Sequence, residues 1–317
     1  MNLDYVNNWS EKMNGSHKSM SKDEFSVTEL LKDATAIVLK RRHYKSIPVD
    51  IQALADINAG TAVHESLEES AREAGWVTEV ELKVPIQADS GKFYLYGKCD
   101  LYRDGVLADI KNTKEASYNK ALAGQDDEWK KQLTAYAMML EATDSEGSLY
   151  GNWYKGIDIM QIHARITDLS VVGNAKKGES TDKWRVLNFD PPSADDYDDI
   201  LSQFIYKVNL IRTFEQTPDE DLPICSEKFR FAESKWKIYG KTKSGDWKKT
   251  AENGHANYSS EAEAKEGFDK AGFTEKDHKI EKVGGESLKC RYFCDVAQWC
   301  PHYKNMIDAE KDDGGRQ

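Results

Sequence analysis

FYLYGKCDLYRDGVLADIK, residues 93–111, decides the reading of this chain. Phe93–Tyr102 is rich in aromatic and apolar residues and reads as a strand. Arg103-Asp104-Gly105 is a turn signal, and Val106–Lys111 is the strand that returns from it. Just upstream, Val77–Ile86 alternates apolar and polar residues, so three neighbouring strands form a meander. The hairpin carries unusual chemistry. Asp109 and Lys111 lie two apart and project to one side of their strand, and the turn can bring Asp100 opposite them. Two carboxylates beside a lysine suit a hard cation such as Mg²⁺ or Mn²⁺ and a phosphate oxygen. Taken alone, the common Asp-x-Lys tripeptide reads first as a solvated hairpin with ordinary surface charges.

Working outward, a helix is expected from about Asp50 to Ala74, with Ile51, Leu54, Ile57, Val63, Leu67 and Ala71 at helical spacing and Gly75 closing it. His64 sits on this helix as a satisfied core histidine or as an imidazole ligand. Ser26 opens an earlier helix as an N-cap, and the basic run Lys40–Lys45 follows. Downstream, a helix over about Glu128–Ala142 places Gln132 and Tyr136 four apart, on one face. They can brace the lysine or belong to a half-buried core. A strand is expected over Gly156–Ile166, a loop over Leu169–Lys183 and a helix over Ala194–Glu215.

The 317 residues carry 44 Lys+Arg against 55 Asp+Glu, a formal net charge of −11. Binding of a polyanion by the whole surface is disfavoured, and DNA would need a local basic groove. Such clusters lie at Arg41 and Arg42, at Lys114, at Lys130 and Lys131, and over Lys235–Lys249 with Trp236, Tyr239 and Trp247 interleaved. The last segment reads either as a stacking and phosphate-binding face for a single strand or as a hairpin with its aromatics packed inward. No run approaches a membrane span, and the N-terminus lacks a basic-then-apolar leader, so a cytoplasmic protein with no membrane partner is expected.

Five cysteines without a leader argue against a disulfide scaffold. Cys290, Cys294 and Cys300 form a compact trio with gaps of three and five residues, and Cys225 stands far upstream. Four thiolates suit a 4Fe–4S cluster or a structural zinc, which would close a loop of about 75 residues. Trp299 and Tyr292 are candidate shields for it, and Cys99 is expected to be a buried strand residue.

The ordered set His64, Gly97-Lys98-Cys99-Asp100, Asp109-Ile110-Lys111 and Gln132-Leu133-Thr134-Ala135-Tyr136 resembles the PD-(D/E)xK nuclease superfamily. Within it, the set is similar to the RecB-like exonucleases with a QxxxY helix. Phe25–Leu31 and Leu222–Glu227 with the cysteine tail extend the resemblance to bacteriophage-encoded nucleases of this type, over most of residues 25–305. The cysteine spacing resembles the iron–sulfur staple of AddB-type and CRISPR-adaptation nucleases, although the first gap here is three residues rather than two.

The resemblance implies an α/β fold, a restriction-endonuclease-like core with a central mixed sheet flanked by helices and a small cysteine-bound accessory module. With the polar composition of the first residues and the change past Pro223, the expected organisation is a flexible arm over 1–24, a core over 25–222, the module over 223–305 and a disordered tail over 306–317. His64, Asp100, Asp109 and the Ile110 carbonyl would hold Mg²⁺ or Mn²⁺, and Lys111 would be the catalytic lysine. Gln132 and Tyr136 would support the site, with Glu65, Glu68 and Glu81 as outer acids. The implied activity is metal-dependent exonucleolytic digestion of linear DNA without sequence specificity, with a strand-annealing protein or helicase as partner. A DNA-end-binding protein that does not cut, and a redox sensor built on the cluster, are the alternatives.

Overall fold

The computed structural model describes residues 21–47, 51–145, 153–178, 180–242, 244–250 and 257–314. They fall into two compact units, one of Met1–Ala34 with Pro48–Gln216, the other of Thr35–Ile47 with Thr217–Gln317.

The first unit is α/β, built on a six-stranded mixed sheet. Strand β1 (Glu24–Ser26) leads into a short helix α1 (Val27–Leu30), where the Ser26 hydroxyl accepts the Glu29 amide at 3.0 Å as the expected N-cap. Helix α2 (Ala34–His43) leaves this unit at once. Helix α3 (Ile51–Glu73) returns to it and ends at Gly75, whose φ of +86° supplies the left-handed turn into the sheet. The side chains of Ile51, Leu54 and Ile57, expected in the core, lie outside the described residues, as does residue 50.

The meander forms as read: β2 (Val77–Ala88), β3 (Gly91–Arg103) and β4 (Val106–Thr113), all antiparallel. Asp104 and Gly105 both have positive φ, +45° and +83°, giving the primed two-residue turn whose twist suits a hairpin. Strand β3 has β2 along one edge. Its other edge is shared by β1, parallel at Tyr94–Tyr96, and β4, antiparallel at Leu101–Arg103. After β4 come helices α4 (Glu115–Leu122) and α5 (Glu128–Ser145). Strand β5 (Ile159–Ile166) is parallel to β4, as a helical crossover requires. The loop expected over Leu169–Lys183 contains a helix, α6 (Val171–Lys177), capped by Ser170 and stopped at Gly178 with φ +72°. Strand β6 (Trp184–Phe189), absent from the sequence reading, closes the sheet, and α7 (Ala194–Phe214) follows.

Packing explains these choices. Ile200, Phe204, Val208 and Ile211 make the buried stripe of α7, behind a Ser193–Asp196 capping box. Helices α5 and α7 pack together and against β2. Leu67 and Ala71 of α3 pack with Trp76 on Leu101, Ala108 and Ile110. Because side chains alternate, Asp109 and Lys111 point to the opposite face of β4, toward α5.

The second unit takes α2, then α8 (Glu227–Arg230), strands β7 (Lys235–Lys241) and β8 (Trp247–Thr250), and helix α9 (Glu261–Lys270). Strand β9 (His278–Val283) and helices α10 (Leu288–Tyr292) and α11 (Pro301–Gly314) complete it. A core over 25–222 and a module over 223–305 therefore divide differently here: residues 35–47 belong with the cysteine unit. The tail expected to be disordered from 306 is helical to Gly314, in a helix that Pro301 opens at its favoured first position. Of the expected N-terminal arm, residues 1–20 lie outside the described residues, and Glu24 already belongs to β1.

Candidate functional site

The β3–β4 ladder ends at Leu101↔Ala108, so Asp100 and Asp109 occupy the next rung, where pairing stops. There the Ile110 amide donates to the Asp100 carboxylate (Oδ2) at 2.8 Å in place of a strand partner. The same oxygen lies 2.8 Å from His64 Nε2, and His64 Nδ1 meets Glu68 one helical turn on. The hydrogen bond to Asp100 raises the His64 pKa to about 9; burial opposes the shift, and the charges of Asp100 and Glu68 add to it.

On the α5 side, Asp109 is 2 % exposed. Lys111 Nζ stands 2.8 Å from Asp109 Oδ2 and donates to Gln132 Oε1 at 3.0 Å. Gln132 Nε2 donates to Asp109 Oδ1 at 2.9 Å and to the Tyr136 hydroxyl at 3.1 Å. One buried amide thus orients both the carboxylate and the lysine. Burial pushes the Asp109 carboxyl up to about 6, although the Lys111 ammonium pulls the other way. Burial also raises the Tyr136 phenol, so it stays a neutral hydrogen-bonding group. Gly97 makes this packing possible. A Cβ there would lie 2.6 Å from Tyr136 Cε1 and 3.3 Å from Val27 Cγ2.

His64, Asp100, Asp109, Ile110, Lys111, Gln132 and Tyr136 therefore gather around the splay of β3 and β4. Among the described residues, no three His, Cys, Asp or Glu side chains converge as a ready cation cage. The imidazole and the ammonium instead neutralise the carboxylates from within. The donor set still suits a hard cation: Asp109 Oδ2 is buried and accepts no hydrogen bond of good geometry, with the Lys111 ammonium 2.8 Å away.

Of the outer acids, Glu65 and Glu81 are exposed and Glu68 is buried. The acid missed is Glu79, which hydrogen-bonds Glu68 and pairs with Lys98. Burial raises the Glu68 carboxyl, and the hydrogen bond to Glu79 adds to that. Glu79 has φ +54° in mid-strand, opposite the Asp100 rung. That conformation is strained for a non-glycine residue, and no sequence pattern announces it. On the face of β4 to which Ile110 points, Leu67, Ala71, Trp76, Leu101, Ile110 and Trp184 help line an apolar cavity of about 320 Å³.

In the second unit, Cys225, Cys290, Cys294 and Cys300 line one small pocket with Phe229 and Tyr303, and none forms a disulfide. Burial raises the Cys290 and Cys294 thiols, and their sulfur neighbours add to the shift at Cys290. The expected shields do not cover the pocket. Tyr292 is 65 % exposed, and Trp299 stacks on His43 with centroids 4.5 Å apart. Cys99 is fully buried in β3, as expected, and burial lifts its thiol to about 12.

Several of the basic residues expected to hold DNA are paired within the protein. Arg42 bonds Asp219 at 2.5 Å and the Thr217 carbonyl at 2.6 Å, and His43 meets Asp219 at 2.6 Å. Arg41 shares helix α2 with them, in the cysteine unit. Lys130 pairs with Asp196 at 3.5 Å, Lys131 pairs with Asp127 at 2.9 Å, and Lys114 takes the N-cap position of α4.

No protein-family model and no curated protein matches this chain. Among solved structures, that of SSO0001 is similar with a TM-score of 0.47 and 14% identity, covering 69% of this chain and 89% of that one. A likeness at that level assigns no chemistry. Among the described residues, no helix is long and apolar enough to cross a membrane.

Proposed function

We propose that this protein is a divalent-metal-dependent deoxyribonuclease of the PD-(D/E)xK type, acting from the ends of linear DNA. The observation that carries the reading is the Tyr136–Gln132–Asp109/Lys111 relay meeting the His64–Asp100 pair at the β3–β4 splay. The resemblance implies a central mixed sheet flanked by helices; a mixed sheet with α3 before the meander and α5 after it supports the finer fold assignment.

In this reading His64, Asp100, Asp109 and the Ile110 carbonyl hold Mg²⁺ or Mn²⁺, which when bound supplies Lewis acidity and an acidified water. Asp109 and Gln132 hold the Lys111 ammonium at a fixed place. There it stabilises charge developing on the phosphate oxygens and orients the attacking water. Tyr136 fixes the Gln132 amide so that its nitrogen faces Asp109 and its oxygen faces Lys111. Glu68 fixes which His64 nitrogen faces Asp100. The four-cysteine pocket would hold a structural 4Fe–4S cluster, with zinc as the alternative; one pocket lined by the buried Cys225, Cys290 and Cys300 and the half-buried Cys294 supports that assignment, although the four do not stand as a ready cage. A role in phage recombination or genome processing, beside a strand-annealing protein or helicase, belongs to the same proposal.

The test is digestion of end-labelled linear and closed circular DNA with Mg²⁺ or Mn²⁺, wild type beside Lys111→Ala. Wild type degrades linear DNA, and Lys111→Ala falls by about a hundredfold or more, the cost of removing one charge-stabilising group. Cutting of closed circles moves the reading to an endonuclease. Silence under both metals leaves a DNA-end-binding protein and removes the catalytic roles. Protein purified without oxygen is expected to be brown with about four irons; colourless protein with one zinc overturns the cluster.

A further inference from the structure

The cysteine unit contains a second surface that the cutting site does not use. Strand β7 pairs antiparallel with both β8 and β9, and register fixes which side chains share a face. Trp236, Ile238 and Ile280 point to one face and pack on Phe268 and Phe273 at α9. The other face carries Lys235, Lys237, Tyr239 and Lys241 on β7. Tyr239↔Lys249 and Lys241↔Trp247 add β8, and Tyr239↔Lys279 and Lys237↔Glu281 add β9. That face thus sets five lysines against one carboxylate, in a chain whose net charge is −11. Trp247 is 39 % exposed at its edge. Lys279 lies over both aromatic rings, 4.8 Å from the Trp247 centroid and 5.8 Å from that of Tyr239, and pairs with Glu281 at 2.7 Å.

An inward-packed hairpin would hide all three aromatics. Only Trp236 goes inward; Tyr239 and Trp247 share the lysine face. Regularly spaced cations flanking two ring faces match a polymer with a phosphate at every step and an unpaired base to stack. We propose that the open face of β7–β8–β9 binds single-stranded DNA, independently of the cutting site. The proposal rests on the nuclease reading only in choosing DNA as the polymer.

The test uses the full-length protein in EDTA, so that nothing is cut, with a fluorescein-labelled 15-mer of thymidylate read by anisotropy across a salt series. Wild type binds with a steep salt dependence. The triple variant Lys237→Ala, Lys241→Ala, Lys249→Ala binds tenfold or more weaker, and its log–log salt slope is shallower by about two, at about 0.7 for each phosphate left unneutralised. Trp247→Ala weakens binding about tenfold with the slope unchanged, the mark of a stacking loss. The pair Lys265→Ala, Lys270→Ala, on α9, binds as wild type. Lys241→Glu, a single exposed change, reproduces the loss should the triple variant melt early. A triple variant that binds as wild type overturns the proposal. So does equal binding of a duplex hairpin with no effect of Trp247→Ala, which would make the face a duplex cradle. Digestion with Mg²⁺ is scored separately: loss of affinity in the triple variant without any cutting by wild type leaves this surface standing and removes the nuclease reading.

Discussion

Replacing Gly97 with alanine tests the geometry of the site without presuming its chemistry. The added methyl would stand 2.6 Å from Tyr136 Cε1 and 3.3 Å from Val27 Cγ2. Tyr136 and Val27 are 4 % and 0 % exposed, so neither can move aside into solvent. Overpacking of this kind costs about 1–3 kcal/mol, offset by the roughly 0.5–1 kcal/mol that alanine gains over glycine inside a strand, for a net loss of about 1 kcal/mol. In a unit of this size that lowers Tm by about 2–4 °C. Melting followed by circular dichroism in EDTA reads it directly. The decisive arm is the Tyr136→Ala background, where the ring is gone and the same Gly97→Ala change is nearly neutral. The two single losses are then non-additive by about 1 kcal/mol or more. An unchanged Tm in the wild-type background, or an equal loss in both, refutes the account of why glycine stands there.

Gln132→Leu removes the amide that bonds Asp109, Lys111 and Tyr136; it costs about 1–3 kcal/mol in a urea melt, and Gln132→Glu does not restore wild-type stability because it cannot donate to Asp109. Metal-free protein loses stability as pH rises from about 4 to beyond 9. Asp109, raised from 3.8 to about 6, loses its contribution between those values and adds no slope above them, while His64, raised to about 9, contributes fully below its unfolded value of 6.5 and loses that contribution through pH 9. A flat melting profile from pH 6.5 to beyond 9 would contradict the His64 account. Asp219→Ala removes the acceptor shared by Arg42 and His43 and lowers the stability of the cysteine unit by about 1–3 kcal/mol, read by differential scanning calorimetry. In the wild type, burial works against the charged Asp219 carboxylate, but the Arg42 and His43 hydrogen bonds prevail and hold it below the usual range, so this contribution is lost as pH falls into the acid range.

The hairpin, the helix caps and the QxxxY helix were legible because each is a local signal: alternation, a turn that demands positive φ, a side chain four residues from its partner. Strand β6 was not, since Trp184–Phe189 lies in a polar stretch and owes its pairing to β5, a partner close only in space. Helix α6 was hidden for a related reason: its Gly and Lys content reads as loop, and Asn174 holds Glu115 from a distant part of the chain. At the site, the residues that form the relay were all named from spacing. Glu79 was not, because its part depends on one backbone angle that no neighbouring residue type dictates. The partners of the basic run Lys40–Lys45 are hidden for the same reason as β6: its charges look unpaired along the chain, yet Asp295 and Asp219, far away in sequence, pair with Lys40, Arg42 and His43.

Helix α2 is made early and used late. Its Ala36, Ile37, Val38 and Leu39 are buried in the finished protein, in a unit whose remainder begins only at Thr217. On the ribosome roughly 170 residues separate the two pieces, so at ordinary synthesis speeds that apolar stripe waits about ten to thirty seconds for its neighbours. Slowed translation over residues 48–216 lengthens the wait, and a chain truncated before residue 217 never ends it. The same arrangement sets an order on assembly: the cysteine pocket, with Ala36 and Leu39 in its wall, can close only after synthesis has passed Tyr303.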